Sequence, residues 1–572
     1  MTRLLLGPVL RYVDATRATV WVQTDAPGTV SILDRQARTF CVSGHHYAIV
    51  VLEGLQPGSV LPYEVHVDGQ RLWPSSEAGI PPDAPPSRIR TPNLPETPDS
   101  REDLLLAFGS CRVADGVDRD DDALAALARE LWQRDETLWP DALLLLGDQV
   151  YADSSAPQTR AFIRSRRNTD EPPGIECADF EEFVRLYQEA WSEPEVRWLL
   201  STVPSAMIFD DHDVIDDWNI SASWAEEMRA KPWWSERISG ALMSYWIYQQ
   251  LGNLRPEELT TDQTLAAALQ ADDAGPMLQR RALEADRGTT GTEGARWSYV
   301  RDFGRVRLLV VDSRNGRVLE PGRRQMLDEA EWAWLEGELT GDFDHLLIAS
   351  SLPILLPPGL HELESWNEAL CDGAWGRAAA RLSERLRRGA DLEHWAAFRD
   401  SFDRLARLVR EVAEGRRGPA PASVLLLSGD VHYAYLAEVQ LASGEAPAGP
   451  PGDPSGDPSG GGRTTSVAPE SVVHQIVCSP LRYAVESSIS TAFRAAASAA
   501  FARVGSSLAR AASVAPAALS WTVTHGPYFG RQVATLRLAP GRADLMLDML
   551  DEDRPSTLRR VFERDLLRSP KS

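Results

Sequence analysis

The chain has 572 residues, 43% of them hydrophobic and 25% charged, which is enough to bury a substantial core and more than one typical domain needs. Its formal charge of −24 and pI near 4.9 exclude a broad nucleic-acid surface, because a polyanion is repelled at long range. No run of about 18 apolar residues marks a transmembrane segment, and the odd cysteine count, at 41, 111, 177, 371 and 478, gives no disulfide framework.

The start, MTRLLLGPVLRY, has an apolar run too short for a secretory leader and no twin arginine, so a cytoplasmic location is expected. Short β-compatible runs follow at 4–9, 19–23, 28–33, 47–52 and 61–67, separated by Gly, Pro and Asp turns. They predict a small antiparallel β-sandwich over residues 1–97, with a Pro-rich linker at 92–98. From 98 to 572, apolar strand-like runs alternate with helical patterns at 123–134, 180–190, 224–251, 260–285, 378–388 and 394–410. That alternation predicts an α/β domain, a layered core of two facing sheets with flanking helices. Residues 443–468, with their Gly-Asp-Pro-Ser repeat, read as a flexible loop. A helical insertion is expected at about 484–514, with Phe493, Phe501, Val504 and Leu508 roughly along one face and many small residues. These features predict a lid at the mouth of a cleft. The runs 532–538 and 543–549 read as closing strands of the second sheet.

Four apolar runs end in polar clusters: Phe108-Gly109-Ser110-Cys111, Gly147-Asp148-Gln149-Val150-Tyr151, Asp210-Asp211-His212-Asp213 and Gly429-Asp430-Val431-His432. In open α/β folds ligands bind beyond the carboxyl ends of strands, so groups at four such ends converge without long loops. Each cluster alone has an ordinary reading: a Gly-Asp turn, a cysteine acting as a small buried hydrophobe, a solvated acidic turn, a core histidine. Together they point to one metal centre. Asp148 has two oxygens with which to bridge a pair of cations, and Tyr151 is placed to turn back as a phenolate. Asp430 and His432, if extended, share one face. Asp211 and His212 diverge in a turn, one towards metal and the other towards substrate.

These stretches resemble a known family. FGSCR at 108–112, LGDQVYAD at 146–153, FDDHDVIDDW at 209–218, VVDSRNGR at 310–317, QMLDEAEWAWLEGEL at 325–339 and SGDVHYAY at 428–435 carry the likeness. It is to the PhoD-type alkaline phosphatases and phosphodiesterases of the calcineurin-like metallophosphatase superfamily, over about residues 100–550. The resemblance implies a two-sheet metallophosphatase core behind an N-terminal β domain. It puts Cys111 where PhoD-type chains carry cysteine, Asp211 at a metal-ligand position and His212 at the position of the catalytic histidine. Asp430 stands where the superfamily's Gly-His-X-His motif has its first histidine. The implied metals are iron with calcium.

The donor chemistry gives its own reading. Cys111, Tyr151 and His432 form a half-site of soft and anionic donors that suits a strongly Lewis-acidic ion such as Fe3+. Asp211 and Asp430, with bridging Asp148, form an oxygen-rich half-site for Ca2+, or else Mg2+ or Mn2+. Zn2+ also fits Cys, His and Asp. The expected function is a binuclear phosphoesterase acting on phosphate mono- or diesters of small molecules, by in-line attack of a metal-bound hydroxide. His212 is the expected acid for the leaving group, and Arg314 and Arg317 are expected to clamp phosphate oxygens. The alternative is a non-catalytic, metal-dependent binding or regulatory protein on the same fold.

Overall fold

In the computed structural model, which describes residues 2–94, 103–113, 122–288, 296–441, 471–483, 494 and 499–568, the N-terminal runs form two facing antiparallel sheets. One has the spatial order Leu4–Val13, Arg17–Thr24, His45–Glu53, Phe40–Val42, and the other Arg35–Arg38, Thr29–Ile32, Val65–Val67, Gln70–Trp73. The run expected at 61–67 splits: Val60–Pro62 pairs with Arg88–Arg90, whereas Val65–Val67 joins the second sheet. Leu10, Val20, Val22 and Val50 face the sandwich core with Val30, Ile32 and Val65. Alternate residues of the same strands, Leu6, Val9, Trp21, Tyr47 and Ile49, point the other way and join the core of the rest of the chain. Both faces of this sheet are therefore covered, and the N-terminal domain is docked on the larger one.

The docking is keyed by a buried arginine. Arg11 sends Nη1 to Tyr248 O (3.2 Å) and Nη2 to Gln249 O (2.8 Å) and Asn253 Oδ1 (3.0 Å). These acceptors sit where a π-helical turn, Tyr245–Gln250, frees backbone carbonyls from the regular ladder. A Cβ at Gly252 would fall 1.9 Å from Arg11 Nε, so glycine is required for the approach. Arg301 returns the contact, donating to Arg11 O at 2.8 Å and Gly252 O at 2.7 Å.

The larger domain has two sheets. In the first, β1 (Leu104–Gly109), β2 (Ala142–Leu146) and β3 (Ser205–Ile208) run parallel in the order β3-β2-β1. Gln532–Ala539, Arg542–Asp551 and Arg554–Asp565 continue it antiparallel, with Leu106 opposite Leu536. The closing strands thus return to the first sheet and not, as expected, to the second. They give β1 an apolar antiparallel neighbour and cover what would be an exposed edge. The second sheet holds Tyr299–Phe303, β4 (Val306–Val311), β5 (His345–Ser350), β6 (Ser423–Ser428), β7 (Val472–Val477), Ala434–Gln440 and Ser520–Tyr528. Leu308, Val310, Leu425 and Leu427 face the first sheet, and Leu309, Val311, Val424 and Leu426 face the outer helices. Strands buried on both faces read as continuous apolar runs, which is why they were legible.

The helices expected at 123–134 and 180–190 are Ala123–Gln133 and Phe180–Trp191, N-capped by Asp122 and Asp179. On the outer side lie α1 (Pro358–Cys371), α2 (Arg377–Gly389) and α3 (Ala499–Ala511). α3 packs on α1, with Gly505 against Gly359 and Glu362. Glu364 of α1, two residues on and roughly 200° round the helix, is the one that reaches the metal centre, through His394. Of the expected lid, α3 therefore covers the side of α1 turned away from Glu364, whereas Arg494, ahead of it, lies over the Phe529 ring at 5.0 Å, which meets Tyr433, the neighbour of His432, at 5.6 Å. The expected loop at 443–468 and most of 484–498 lie outside the described residues.

Replacing Arg11 with Ala leaves several buried carbonyls without donors, so an expected loss of roughly 3 kcal/mol in urea unfolding is the measure of this key. Unfolding of both domains in one transition, wild type and variant alike, is the accompanying expectation.

Candidate metal centre

Seven parallel strands, β1 to β3 in one sheet and β4 to β7 in the other, end along one edge, and every predicted site residue lies beyond one of them. The loops cross at van der Waals limits. A Cβ on Gly429 would lie 2.1 Å from Ser110 Oγ, and one on Gly147, whose φ is 98°, would lie 2.6 Å from Asp210 Cβ. Cys111 N donates to Gly147 O (3.3 Å), Arg112 N to Asp148 O (3.0 Å) and Asp430 N to Ser110 Oγ (3.2 Å). Behind Cys111, Arg112 joins Asp122 (2.7 Å) and Glu193 (3.0 Å), and Arg482 joins Glu193 (2.8 Å), so the loops after β1 and β7 are tied together.

The donors form a chain of overlapping triads. Cys111, Asp148 and His432 bring ligand atoms within 4.8 Å of one another, as do Asp148, Asp211 and His212, and Asp210, Asp211 and Asp430. Asp148 belongs to the first two groups and Asp211 to the last two. Tyr151 joins the first, its hydroxyl donating to Asp148 Oδ2 at 3.2 Å. Cys111, Asp148, Asp430 and His432 all have positive φ, of 57°, 51°, 64° and 57°. Asp430 and His432 are therefore not an extended pair: a left-handed turn places them, at a cost on the order of 1 kcal/mol per residue that the packing must hold.

The electrostatics call for cations. Burial, then the neighbouring charges of Asp210, Asp211 and Asp213, push Asp148 well above the usual carboxylate range despite nearby His212. Burial likewise raises Asp210, and it raises the Cys111 thiol and the Tyr151 phenol with help from Asp148. Asp148 Oδ1 and Asp210 Oδ2 are buried without a hydrogen-bond partner. A buried set of anionic donors with orphaned oxygens fits metal ions, because a cation supplies the charge and coordination that protein and solvent do not.

His212 stands at the margin, 21% exposed in its side chain. Its Nδ1 lies 2.8 Å from Asp153 Oδ2 and its ring stacks on Tyr151 at 4.5 Å. Burial disfavours the imidazolium, but Asp153, Asp211 and Asp148 outweigh that and raise its pKa well above the usual value. Tyr483 stacks on His432 (4.2 Å) and Tyr151 (5.8 Å).

Arg314 and Arg317 do not face the cleft. Arg314, 0% exposed, binds Asp210 through Nε, Glu393 at 2.6 Å, Asp211 at 3.2 Å and Asp430 at 3.6 Å. Arg317 binds Glu393 (3.1 Å) and the carbonyls of Ser313 (2.7 Å) and Asn219 (3.0 Å), with its ring-like fork over Phe398. The expected phosphate clamp is replaced by a countercharge beneath the ligands, since a cluster of buried carboxylates binds the nearest guanidinium more tightly than a solvated substrate does.

Several residues of the site were not expected. Asp153 lies inside the LGDQVYAD stretch, where its spacing from Asp148 was a usable signal. His394 bridges Glu364 Oε1 (2.7 Å) and Asp430 Oδ2 (3.2 Å). Burial opposes ionisation of Asp430, yet His394 and Arg314 lower its pKa to about 2. Nothing local in the sequence links Glu393 and His394 to Asp430; only the fold does.

Comparison with known proteins identifies the family. A family described as PhoD-like phosphatase matches residues 125–501, and a domain of unknown function, DUF7800, matches residues 1–85. No curated protein matches the chain. Among solved structures, one entitled "Structure of PhoD" superposes with a TM-score of 0.57 at 12% identity, covering 98% of this chain and 92% of that one. Purple acid phosphatase PPD1 from yellow lupin (Lupinus luteus) seeds gives 0.44 at 10% identity, covering 97% and 73%. With the family matched over most of its length and buried donors fit for cations, the chain belongs to the PhoD-like phosphatases and is a metal-dependent phosphoester hydrolase.

Proposed function

We propose that the centre is binuclear and hydrolyses phosphate mono- or diesters of small molecules, with Fe3+ held by Cys111, Tyr151 and His432 and Ca2+ by Asp211 and Asp430. Asp148 stands between the two. The observation that supports this reading is the chain of overlapping triads: Cys111, Asp148 and His432, rich in thiol and imidazole, share Asp148 with Asp211 and His212, and Asp211 in turn joins the carboxylates Asp210 and Asp430. When bound, such cations neutralise the phosphate oxygens and acidify a water.

The side chains divide the remaining work. Asp153 fixes the tautomer and plane of His212 through Nδ1, and the Tyr151 ring holds the imidazole from one side. Nε2 is then the free proton-bearing position, 3.8 Å from Asp216 Oδ1. The hydrogen bond and charge of Asp153 favour the protonated ring, which is what a leaving alkoxide requires. His394 keeps Asp430 ionised and oriented, the usual role of an outer partner to a ligand. Arg314 stops Asp210, Asp211 and Asp430 from repelling one another apart.

His212→Ala should lower turnover of p-nitrophenyl phosphate and its bis ester by about 10²–10⁴-fold while leaving metal content intact. Asp148→Ala should lose both. Elemental analysis beside the rates checks the pair, and loss of metal from the His212 variant would return that residue to the ligand set.

Thiolate and phenolate on ferric iron give visible charge-transfer absorption. Tyr151→Phe should shift or remove that band, whereas protein that is active with zinc alone would exclude the iron assignment.

The metal-free protein should lose stability as pH rises above about 6.5. The sign follows from which state holds more protons. His212 and His394 have raised folded pKa values, so their contribution is present below the unfolded value and is lost on the way up. Asp148 and Asp210 are raised too, and the folded chain gives up their protons against burial. His432, lowered to about 4, and Asp430, lowered to about 2, act oppositely but only below this window. Thermal melts of chelated protein across pH, compared with metal-loaded protein, should show the decline only in the former.

A further inference from the structure

Helix α2 (Arg377–Gly389) has its polarity reversed. Its inward face is polar: Ser383 and Arg387 are 4% and 2% exposed. Asn367 Nδ2 donates to Ser383 Oγ at 2.8 Å, and Arg387 lies 3.9 Å from Glu368. Its outward face carries Leu382, 67% exposed, and Leu386, 41% exposed, in line with Ala378. Spacing of four residues puts these three in one row along the helix. One residue earlier in each turn stand Arg377, Arg381 and Arg385, all exposed and without an ion pair among the described residues. The helix's single acid, Glu384, is turned aside to Ser223 at 2.6 Å. Just ahead of the helix, Trp375 is 48% exposed, its indole N–H held by Ala511 O at 3.3 Å. A chain with a net charge of −24 thus presents three arginines, unpaired among the described residues, beside two exposed leucines.

Packing within the chain does not account for this pattern, since an amphipathic helix ordinarily turns its leucines inward. We propose that the outer face of α2 docks on an anionic phospholipid bilayer. Leu382, Leu386 and the Trp375 ring would enter the headgroup boundary, and the arginine stems would lie along it with their guanidinium groups at the level of the lipid phosphates. On the helix's other side Ser383 is bonded to Asn367 of α1 and Arg387 is paired with Glu368 of α1, so the helix lies in the plane of the surface without unfolding. The apolar row is too narrow for a stable protein–protein interface. A second copy is disfavoured for another reason: two-fold pairing sets like patch on like patch, arginine row against arginine row. The overall negative charge is screened beyond about 8 Å at physiological salt, so the local patch decides the sign of the contact. The chain leaving α2 runs directly to Glu393 and His394, and so to Asp430, which would set the metal cleft beside the lipid surface.

The test is sedimentation of the intact protein with large unilamellar vesicles, either of phosphatidylcholine alone or with about one-third phosphatidylglycerol. Binding is expected only to the anionic vesicles and should weaken at high salt. The triple variant Arg377→Ala, Arg381→Ala, Arg385→Ala should partition about 100-fold less. The pair Leu382→Ser, Leu386→Ser should lose at least about tenfold. Both variants alter exposed positions, so unchanged circular dichroism and unchanged hydrolysis of soluble p-nitrophenyl phosphate are expected alongside. No sedimentation of the wild type, equal sedimentation of wild type and variants, or a dimer in light scattering that the leucine pair abolishes would each overturn the proposal.

Discussion

The site depends on one buried guanidinium. Asp210, Asp211, Glu393 and Asp430 come from three separate stretches of chain and meet at Arg314, which has no exposed surface. Two like charges about 4 Å apart at an effective dielectric near 20 repel by about 4 kcal/mol, so such a cluster cannot stand without a cation in its midst. Arginine suits the position because its planar fork donates in several fixed directions and stays charged when buried, where an ammonium would act as a single point. The fork thereby sets the loop after β3, the loop after β6 and the 391–394 segment relative to one another. Arg317, three residues on, binds the same Glu393 oxygen as Arg314. Metal ions then complete from above a neutralisation that Arg314 begins from below.

Strain and close approach do the rest of the placing. Four candidate ligands sit in left-handed backbone, while Gly147 lets the neighbouring loops after β2 and β3 touch and Gly429 lets the loop after β6 touch the one after β1 in the opposite sheet. These conformations persist because the loops are tied at their bases by Ser110, by Arg112 on Asp122 and Glu193, and by the backbone pairing of Cys111 with Arg482. The result is a rigid cradle whose donors are held in place by the protein fold itself, which limits the reorganisation that binding a cation requires.

The N-terminal domain contributes in the same rigid manner. Its first sheet is covered on both faces, and Arg11 threads into the π-helical turn that also lies behind β3. Asn253 shows the continuity, accepting from Arg11 and from Met207 N of β3 and donating to Met207 O. Support for the strand that presents Asp210 to His212 thus extends into a domain that carries no ligand.

The sequence by itself determined the apolar strands that lead into the site, because parallel strands covered on two faces must be apolar throughout, and it placed Cys111, Asp148, Tyr151, Asp211, His212, Asp430 and His432 just beyond their ends. Local chemistry was enough for these: each is a polar group abruptly following an apolar run. It could not determine the partner of each charge. Arg314 and Arg317 look alike on paper to surface cations, and only the convergence of remote carboxylates drew them inward. His394 and Glu364 became outer partners of Asp430 through the packing of α1, and the closing strands joined the first sheet because β1 offered a free apolar edge. The left-handed turn at Asp430 and His432 and the reversed faces of α2 were likewise tertiary decisions, since backbone sign and burial are set by neighbours far away in the chain. A one-dimensional pattern records which residues tolerate burial; which charges meet there is a property of three-dimensional contact.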